Sequence, residues 1–223
     1  MKAARLVCLA NSRKLGGRCV AGLRMHGKQV RIGDWVRPVS HSEHGEVPVP
    51  YYDDGREMRL GDVVAFEEGL AIRHLSGYQP ENVSFSGSWR HEGRVTWATL
   101  CRLAESEAEP WPVGGSSSMG RNDRFLLEQA PRVRSSLTLQ RVDDLELLVL
   151  QNPYSNAWEA RGEFSIGGAT LRLKVTDPVV EARLLSTRRG ESIGDALVCL
   201  SLGEPYQGHV YKLLAGVVME SDL

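Results

Sequence analysis

Phe164-Ser165-Ile166-Gly167-Gly168-Ala169-Thr170-Leu171-Arg172-Leu173-Lys174-Val175, followed at once by Thr176-Asp177-Pro178, is the stretch that decides the fold. Two alternating runs flank a Gly-Gly pair. Glycine takes positive φ without a Cβ clash, so the runs fold back on each other as a β-hairpin. Asp177 can cap a helix and Pro178 suits its first position, so a helix starts there and continues through Val179 to Leu185. One strand, Leu145 to Leu150, precedes the hairpin; two more, Ala196 to Leu202 and Val210 to Met219, follow the helix. Three strands, a helix and two strands is the element order of an OB barrel. Another small barrel or an α+β sandwich would share that order.

The first half is also strand-rich. Arg5-Leu6-Val7-Cys8-Leu9-Ala10 is continuously apolar after its first residue, which implies burial on both faces. A polar, glycine-bearing turn, Asn11 to Arg18, separates it from a second run, Cys19 to Leu23. Gln29 to Val39 alternates around Val30, Ile32 and Val36, with Trp35, Arg37 and Pro38 closing it. Ser40 to Gly55 reads as an irregular excursion around Pro48 and Pro50. Leu60 to Phe66 restarts a strand, and Val95 to Ala104 places Trp97, Leu100, Cys101 and Ala104 at helical spacing. Glu105 to Asp123 then reads as a boundary. Its Gly114-Gly115-Ser116-Ser117-Ser118-Met119-Gly120 string has no packing incentive, and it lacks the G-x-x-x-x-G-K-[ST] spacing of a phosphate-cradling loop.

Composition narrows the class. The chain has 223 residues, 42% hydrophobic and 25% charged, which suits one large or two small globular domains and excludes disorder and coiled coil. No apolar run approaches the ~18–20 residues of a membrane-spanning helix, and the start does not read as a signal peptide. A cytoplasmic protein with no membrane partner is expected. Cys8, Cys19, Cys101 and Cys199 form no C-x-x-C pair and read as buried, inert thiols. The net charge of −1 conceals an asymmetry: Met1 to Ser40 holds nine Lys and Arg against one acid, Asp34, while the rest of the chain is net acidic. Such a segment either forms a localised anion site or spreads over several solvated strand faces.

The candidate phosphate or nucleic-acid site is Asn11, Ser12, Arg13, Lys14 and Arg18, with Trp35 and Arg37 on the next strand. Short polar donors and three cations between two strands can hold a phosphate through charge-assisted hydrogen bonds, while Gly16 and Gly17 permit close backbone approach. A base can stack on the indole of Trp35 and Arg37 can hold the adjoining phosphate. The alternatives are a plain solvated turn for the loop and a core position for Trp35. His41 and His44 with Glu43 and Glu46 have metal-like spacing but no identifiable third ligand, so no metal is assigned. Tyr51-Tyr52-Asp53-Asp54-Gly55 reads as an Asx-type turn. Ser12 beside Lys14 is the one pair with a nucleophile's composition. Asn122, Asp123 and Arg124, with Tyr206, His209, Tyr211 and Lys212, form a second polar cluster, read as inter-domain hydrogen bonding. No cofactor and no catalytic residue are assigned.

Several strings together carry a resemblance: Val7 to Lys14, Gly17-Arg18-Cys19-Val20-Ala21-Gly22, Trp35-Val36-Arg37-Pro38-Val39-Ser40, Gln79-Pro80-Glu81-Asn82, Val175-Thr176-Asp177-Pro178 and Tyr211-Lys212-Leu213. Over nearly its whole length the chain resembles the prokaryotic dual OB-fold domain family. The resemblance implies a mainly β protein with minor α, built as two small OB-like β-barrels packed in one compact unit. The division expected is residues 1–110 for the N-terminal barrel with its basic loop, 111–134 for a linker or mobile loop, and 135–223 for the C-terminal barrel. It also implies nucleic-acid binding, of a single strand or RNA, in a bacterial defence or mobile-element system. Two other readings stay open: a nucleotide- or nucleic-acid-processing enzyme using the Asn11 to Arg18 loop, and a non-catalytic adaptor for a larger effector protein.

Overall fold

Both halves close into barrels of the same strand order, in a computed structural model that describes residues 2–71, 77–105 and 110–223. The first barrel comprises β1 (Lys2–Lys14), β2 (Gly17–His26), β3 (Gln29–Val39), β4 (Asp62–Ala71) and β5 (Asn82–Arg94). They run β1-β2-β3-β5-β4 around the barrel, with β4 returning to β1; only the β3–β5 pair is parallel. A short helix, α1 (Trp97–Leu103), follows, with Thr96 as its N-cap. A three-residue strand, β6 (Arg124–Leu126), and a 3-10 turn over Leu127–Arg132 lead to the second barrel. That barrel comprises β7 (Leu137–Gln151), β8 (Trp158–Ile166), β9 (Ala169–Val175), β10 (Glu191–Leu202) and β11 (His209–Val218), with helix α2 (Pro178–Thr187) between β9 and β10. Its order is β7-β8-β9-β11-β10, closed by β10 on β7, and its one parallel pair, β9–β11, is the equivalent one. This is OB topology, twice.

The deciding stretch folds as its chemistry requires. Gly167 and Gly168, at φ 58° and 82°, make the β8–β9 turn. Asp177 caps α2, its Oδ1 accepting from the N–H of Val179 at 3.0 Å and of Val180 at 3.3 Å. Burial pushes the Asp177 carboxyl above the ordinary carboxylate range, against the opposing pull of the N–H groups of Val180, Val217 and Val179. The first barrel has no helix between its third and fourth strands. The segment 40–61 takes that place and fills the barrel from one end with Val47, Tyr52 and Met58.

Three cores hold the molecule. Leu6, Cys8, Val20, Val36, Val64, Phe66, Phe85 and Trp89 fill the first barrel. Phe125, Leu145, Leu147, Phe164, Leu173, Val198 and Leu214 fill the second. Between the barrels lies a third, made of Val7, Leu9, Ala21, Leu23 and Trp35 from one side and Leu137, Leu139, Leu197, Cys199, Ala215 and Val218 from the other. Side chains alternate across a strand. So Leu6 and Cys8 face the first interior while Val7 and Leu9 face the other barrel, which is why β1 is apolar on both faces. Gly216 lets the barrels approach: a Cβ there would sit 2.4 Å from the Leu9 carbonyl oxygen.

Three expectations need correction. The Asn11 to Arg18 stretch is not an open loop. Asn11, Ser12, Arg13 and Lys14 belong to β1 and pair with Val20, Cys19, Arg18 and Gly17, so only Leu15 and Gly16 turn. Strand β5 was not expected at all. The stretch 111–134 is not a bare linker: Trp111, Met119, Asp123, Phe125 and Ala130 are buried, and β6 pairs with β11. The Asp123 carboxylate accepts from the Ser117 N–H at 2.7 Å and from its hydroxyl at 2.5 Å, which fastens the glycine-serine string to the second barrel. Residues 106–109 of the expected boundary lie outside the described residues.

Candidate functional site

The β1 residues at the end of the hairpin divide between the first barrel and the space between the barrels. Asn11 turns toward the first barrel, where it is 7% exposed and its Nδ2 donates to the Met58 carbonyl at 2.9 Å. Arg18, across the hairpin, sets Nη2 at 3.2 Å from Glu57 Oε1. Ser12, Arg13 and Lys14 line a cleft of about 310 Å3 between the barrels, together with Leu15, Cys19, Arg37 and Gln79 of the first half and Ser201 to Glu204 and Leu213 of the second. The Arg13 backbone N–H donates to the Thr176 carbonyl at 2.7 Å, which ties the rim of the cleft to the start of α2.

The two cations at the rim of this cleft each meet an acid from the other barrel. Arg13 Nη2 is 2.6 Å from Glu181 Oε2 of α2. Lys14 Nζ is 2.9 Å from Glu204 Oε1, and His44 Nδ1 is 2.9 Å from the other oxygen of the same carboxylate. Partial burial raises the Glu204 pKa, but Lys14 and His44 more than offset it, and the carboxyl lies below its ordinary range. The same pattern extends through the basic N-terminal segment. Arg5 lies against Glu92, Arg18 against Glu57, Arg24 against Glu68 and Arg37 against Glu81. The cations clustered in sequence are therefore mostly compensated in space, by acids drawn from the rest of the chain.

Arg37 floors the cleft at 2% exposure and is the hub of a buried polar seam. Its Nη1 donates to Asn82 Oδ1 at 3.3 Å; its Nη2 donates to Ser136 Oγ at 2.9 Å and Ser201 Oγ at 3.4 Å and lies 3.4 Å from Glu81 Oε1. Ser136 also hydrogen-bonds Glu81, and Gln79 Nε2 donates to the Leu202 carbonyl at 3.2 Å. Arg37-Pro38 and Gln79-Pro80-Glu81-Asn82 thus meet at the barrel junction, where they join β3 and β5 to the second barrel. Trp35 packs into the inter-barrel core at 6% exposure and its Nε1 donates to Glu105 Oε1 at 2.9 Å. Its ring faces are taken up by that core, so the core reading of this indole holds over the stacking one.

Of the seven sequence candidates, then, the fold brings Ser12, Arg13, Lys14 and Arg37 to one cleft and places Asn11, Arg18 and Trp35 elsewhere. Ser12 and Lys14 share the cleft but not a hydrogen bond: Ser12 Oγ donates to the Cys19 carbonyl at 3.5 Å, and Lys14 is held by Glu204. Cys8 and Cys199 are fully buried, and burial pushes both thiols well above their ordinary pKa, so neither is a thiolate nucleophile near neutral pH. Among the described residues no three metal-ligating side chains gather. Asp54 caps its own turn through the Arg56 N–H at 3.0 Å. Among the described residues, no helix is long and apolar enough to cross a membrane.

The second polar cluster is the signal that sequence reading misassigned. The hydrogen bonds of Asn122, Asp123 and Arg124 keep to the second half. Asn122 Nδ2 donates to the Thr170 carbonyl at 2.9 Å, Asp123 holds Ser117, and Arg124 Nη1 donates to Tyr211 Oη at 3.3 Å. All of these contacts lie on or beside the second barrel, and Tyr206 at the tip of the β10–β11 hairpin is 61% exposed. A family model described as a dual OB-containing domain matches residues 4–217 of the chain. No curated protein and no solved structure matches it.

Proposed function

Because the chain belongs to the dual OB-containing domain family, we propose that it binds single-stranded nucleic acid, DNA or RNA, with the inter-barrel cleft as its phosphate site. OB barrels commonly take such strands, and a groove of basic and polar donors that tracks the backbone is the usual means. The observation that carries this reading is the convergence of Ser12, Arg13 and Lys14 on one cleft, over a floor that contains Arg37. The carboxylate partners constrain how a phosphate can bind. The Arg13 side chain is 55% exposed but that of Glu181 is 9% exposed, and those of Lys14 and Glu204 are 20% and 31% exposed, so a phosphate has to join these pairs from the solvent side rather than leave a buried carboxylate unpaired. The outward donors of the Arg13 guanidinium and the Lys14 ammonium can then meet phosphate oxygens.

The test is a titration of labelled oligonucleotide at several salt concentrations. Arg13→Ala with Lys14→Ala should weaken binding and lower the log–log salt slope by about 0.7 for each lost contact. Loss of binding at an unchanged slope, or an unchanged affinity, would remove the cleft from the site. A role in a bacterial defence or mobile-element system, with a larger effector protein as partner, belongs to the same proposal and is tested by co-purification with the products of neighbouring genes. The barrel boundaries, residues 1–110 and 135–223, are likewise proposed, with 111–134 as a connection packed on the second barrel.

A further inference from the structure

Resting on the single-strand reading, we propose a second surface on the C-terminal barrel: a stacking platform for unpaired bases formed by Tyr206, His209 and Tyr211, with Arg124 and Arg121 taking the adjoining phosphates. The three rings lie at and after the turn of the β10–β11 hairpin. Tyr206 and Tyr211 have centroids 6.5 Å apart, as do His209 and Tyr211. A backbone bridge between Tyr206 and His209 fixes the turn. Strand alternation turns Val210 into the barrel core and leaves His209 and Tyr211 on the outer face. These rings therefore have open sides that no part of the core uses.

The charges beside them differ from those of the cleft. Arg124, on β6, pairs in register with Tyr211, and its guanidinium carbon lies 6.0 Å from the centre of that ring. Arg121 is exposed and bridges to β9 at Arg172. Among the described residues neither Arg121 nor Arg124 has a carboxylate within ion-pairing distance, whereas Arg13, Lys14, Arg18 and Arg37 each have one. Uncompensated cations beside open aromatic rings match the alternating phosphates and bases of a single strand.

The platform also continues the cleft. Gly203 and Glu204, at the base of the same hairpin, line the cleft with Arg13 and Lys14, and Tyr206 follows two residues later, within about 7 Å of extended chain. A strand gripped by its phosphates in the cleft thus meets the rings with its next nucleotides. The first barrel offers no such surface on β2 and β3, because Ala21, Leu23 and Trp35 of those strands are buried against the second barrel.

The test is fluorescence anisotropy of the full chain with fluorescein-labelled oligo(dT), oligo(U) and an abasic oligonucleotide of equal length. Tyr206→Ala should weaken binding of the base-bearing oligomers by about five-fold or more, with the salt slope unchanged, since a stacked base contributes substantially by alanine substitution. It should leave the abasic oligomer unaffected, and Tyr206→Phe should bind as the wild type does. Arg124→Ala should lower the slope by about 0.7. Oligo(dT) against oligo(U) separates DNA from RNA as the source of the strand. Wild-type affinity in Tyr206→Ala and Arg124→Ala overturns the platform and leaves the cleft reading standing. No binding of any oligomer by the wild-type chain overturns both.

Discussion

Replacing Arg37 by Met should loosen the whole molecule, because the guanidinium it removes is structural. The change leaves Glu81, whose side chain is 3% exposed, as a buried carboxylate facing the Ser136 hydroxyl but no cation. Asn82 and Ser201 lose a donor at the same moment. Breaking a buried pair by removing one partner costs about 3–5 kcal/mol. For a chain of this size each kcal/mol lowers Tm by roughly 2–4 °C, which gives a loss of about 6–20 °C. The pair itself is imperfect, since Arg37 Nε and Glu81 Oε2 are buried without a hydrogen-bond partner among the described residues. Replacing both ends by apolar groups of similar volume should therefore recover most of the loss, as such exchanges are often neutral or stabilising. The assay is a double-mutant cycle of Arg37→Met and Glu81→Met, with unfolding followed by circular dichroism and by tryptophan fluorescence. A single Arg37→Met variant that melts with the wild type but no longer binds oligonucleotide would refute the reasoning, and would make Arg37 a ligand contact. So would a double variant as unstable as the two single losses added together.

Asp177→Ala should cost about 2–4 kcal/mol, by loss of the α2 cap and of the acceptor for the buried Val217 N–H, while Asp177→Asn keeps an oxygen there and should lose much less. Because burial holds the Asp177 carboxyl above its unfolded range, the folded chain takes that proton first; its contribution to stability should grow as pH falls from neutral through the carboxylate range, and urea midpoints of Asp177→Asn should lack that gain. Asp123→Ala removes the acceptor that holds Ser117, so limited proteolysis should cut Gly114 to Gly120 faster in the variant than in the wild type; equal rates would mean that the carboxylate does not fasten this string.

The second barrel was legible because its signals are local. Gly167-Gly168 sets the hairpin turn, Asp177-Pro178 starts the helix, the two hairpin strands alternate, and Ala196 to Leu202 is an apolar run broken only by Ser201. Strand β5 was not legible for a physical reason. Its inward side chains, Val83, Phe85 and Trp89, are separated by serines and Gly87, Gly93 follows them, both glycines are at positive φ, and the register with β4 shifts three times. Those irregularities bend the strand around the barrel and erase the period. The extension of β1 through Asn11 to Lys14 was hidden in the same way, because polar residues at a strand end read as a turn. The site was half legible: composition found Arg13 and Lys14 but could not show that Glu181 and Glu204 lie opposite them. The β10–β11 rings were seen as a cluster, yet nothing in their spacing revealed which side of the barrel they face.

The two-faced strand β1 accounts for where part of the basic segment's charge goes. A strand apolar on both faces must be covered twice, here by its own barrel interior and by the neighbouring barrel. Packing two barrels through such strands brings the basic first segment against the acidic remainder, and Arg13 and Lys14 end beside Glu181 and Glu204. Arg5, Arg18, Arg24 and Arg37 meet acids of their own barrel, Glu92, Glu57, Glu68 and Glu81, so the surface shows little of the +8 that Met1 to Ser40 carries. On the proposed reading, what remains for an anion lies where the packing does not reach: the solvent-side donors of Arg13 and Lys14 at the mouth of the cleft, and, on the second barrel, Arg121 and Arg124, which have no carboxylate partner among the described residues. A polyanion that engages both must cross the junction, and its binding would hold the two barrels in the geometry that the Arg37 seam already specifies. Oligonucleotide should accordingly raise the melting temperature of Arg37→Met with the logarithm of its excess over Kd, as ligand linkage requires of any ligand that binds only the folded state.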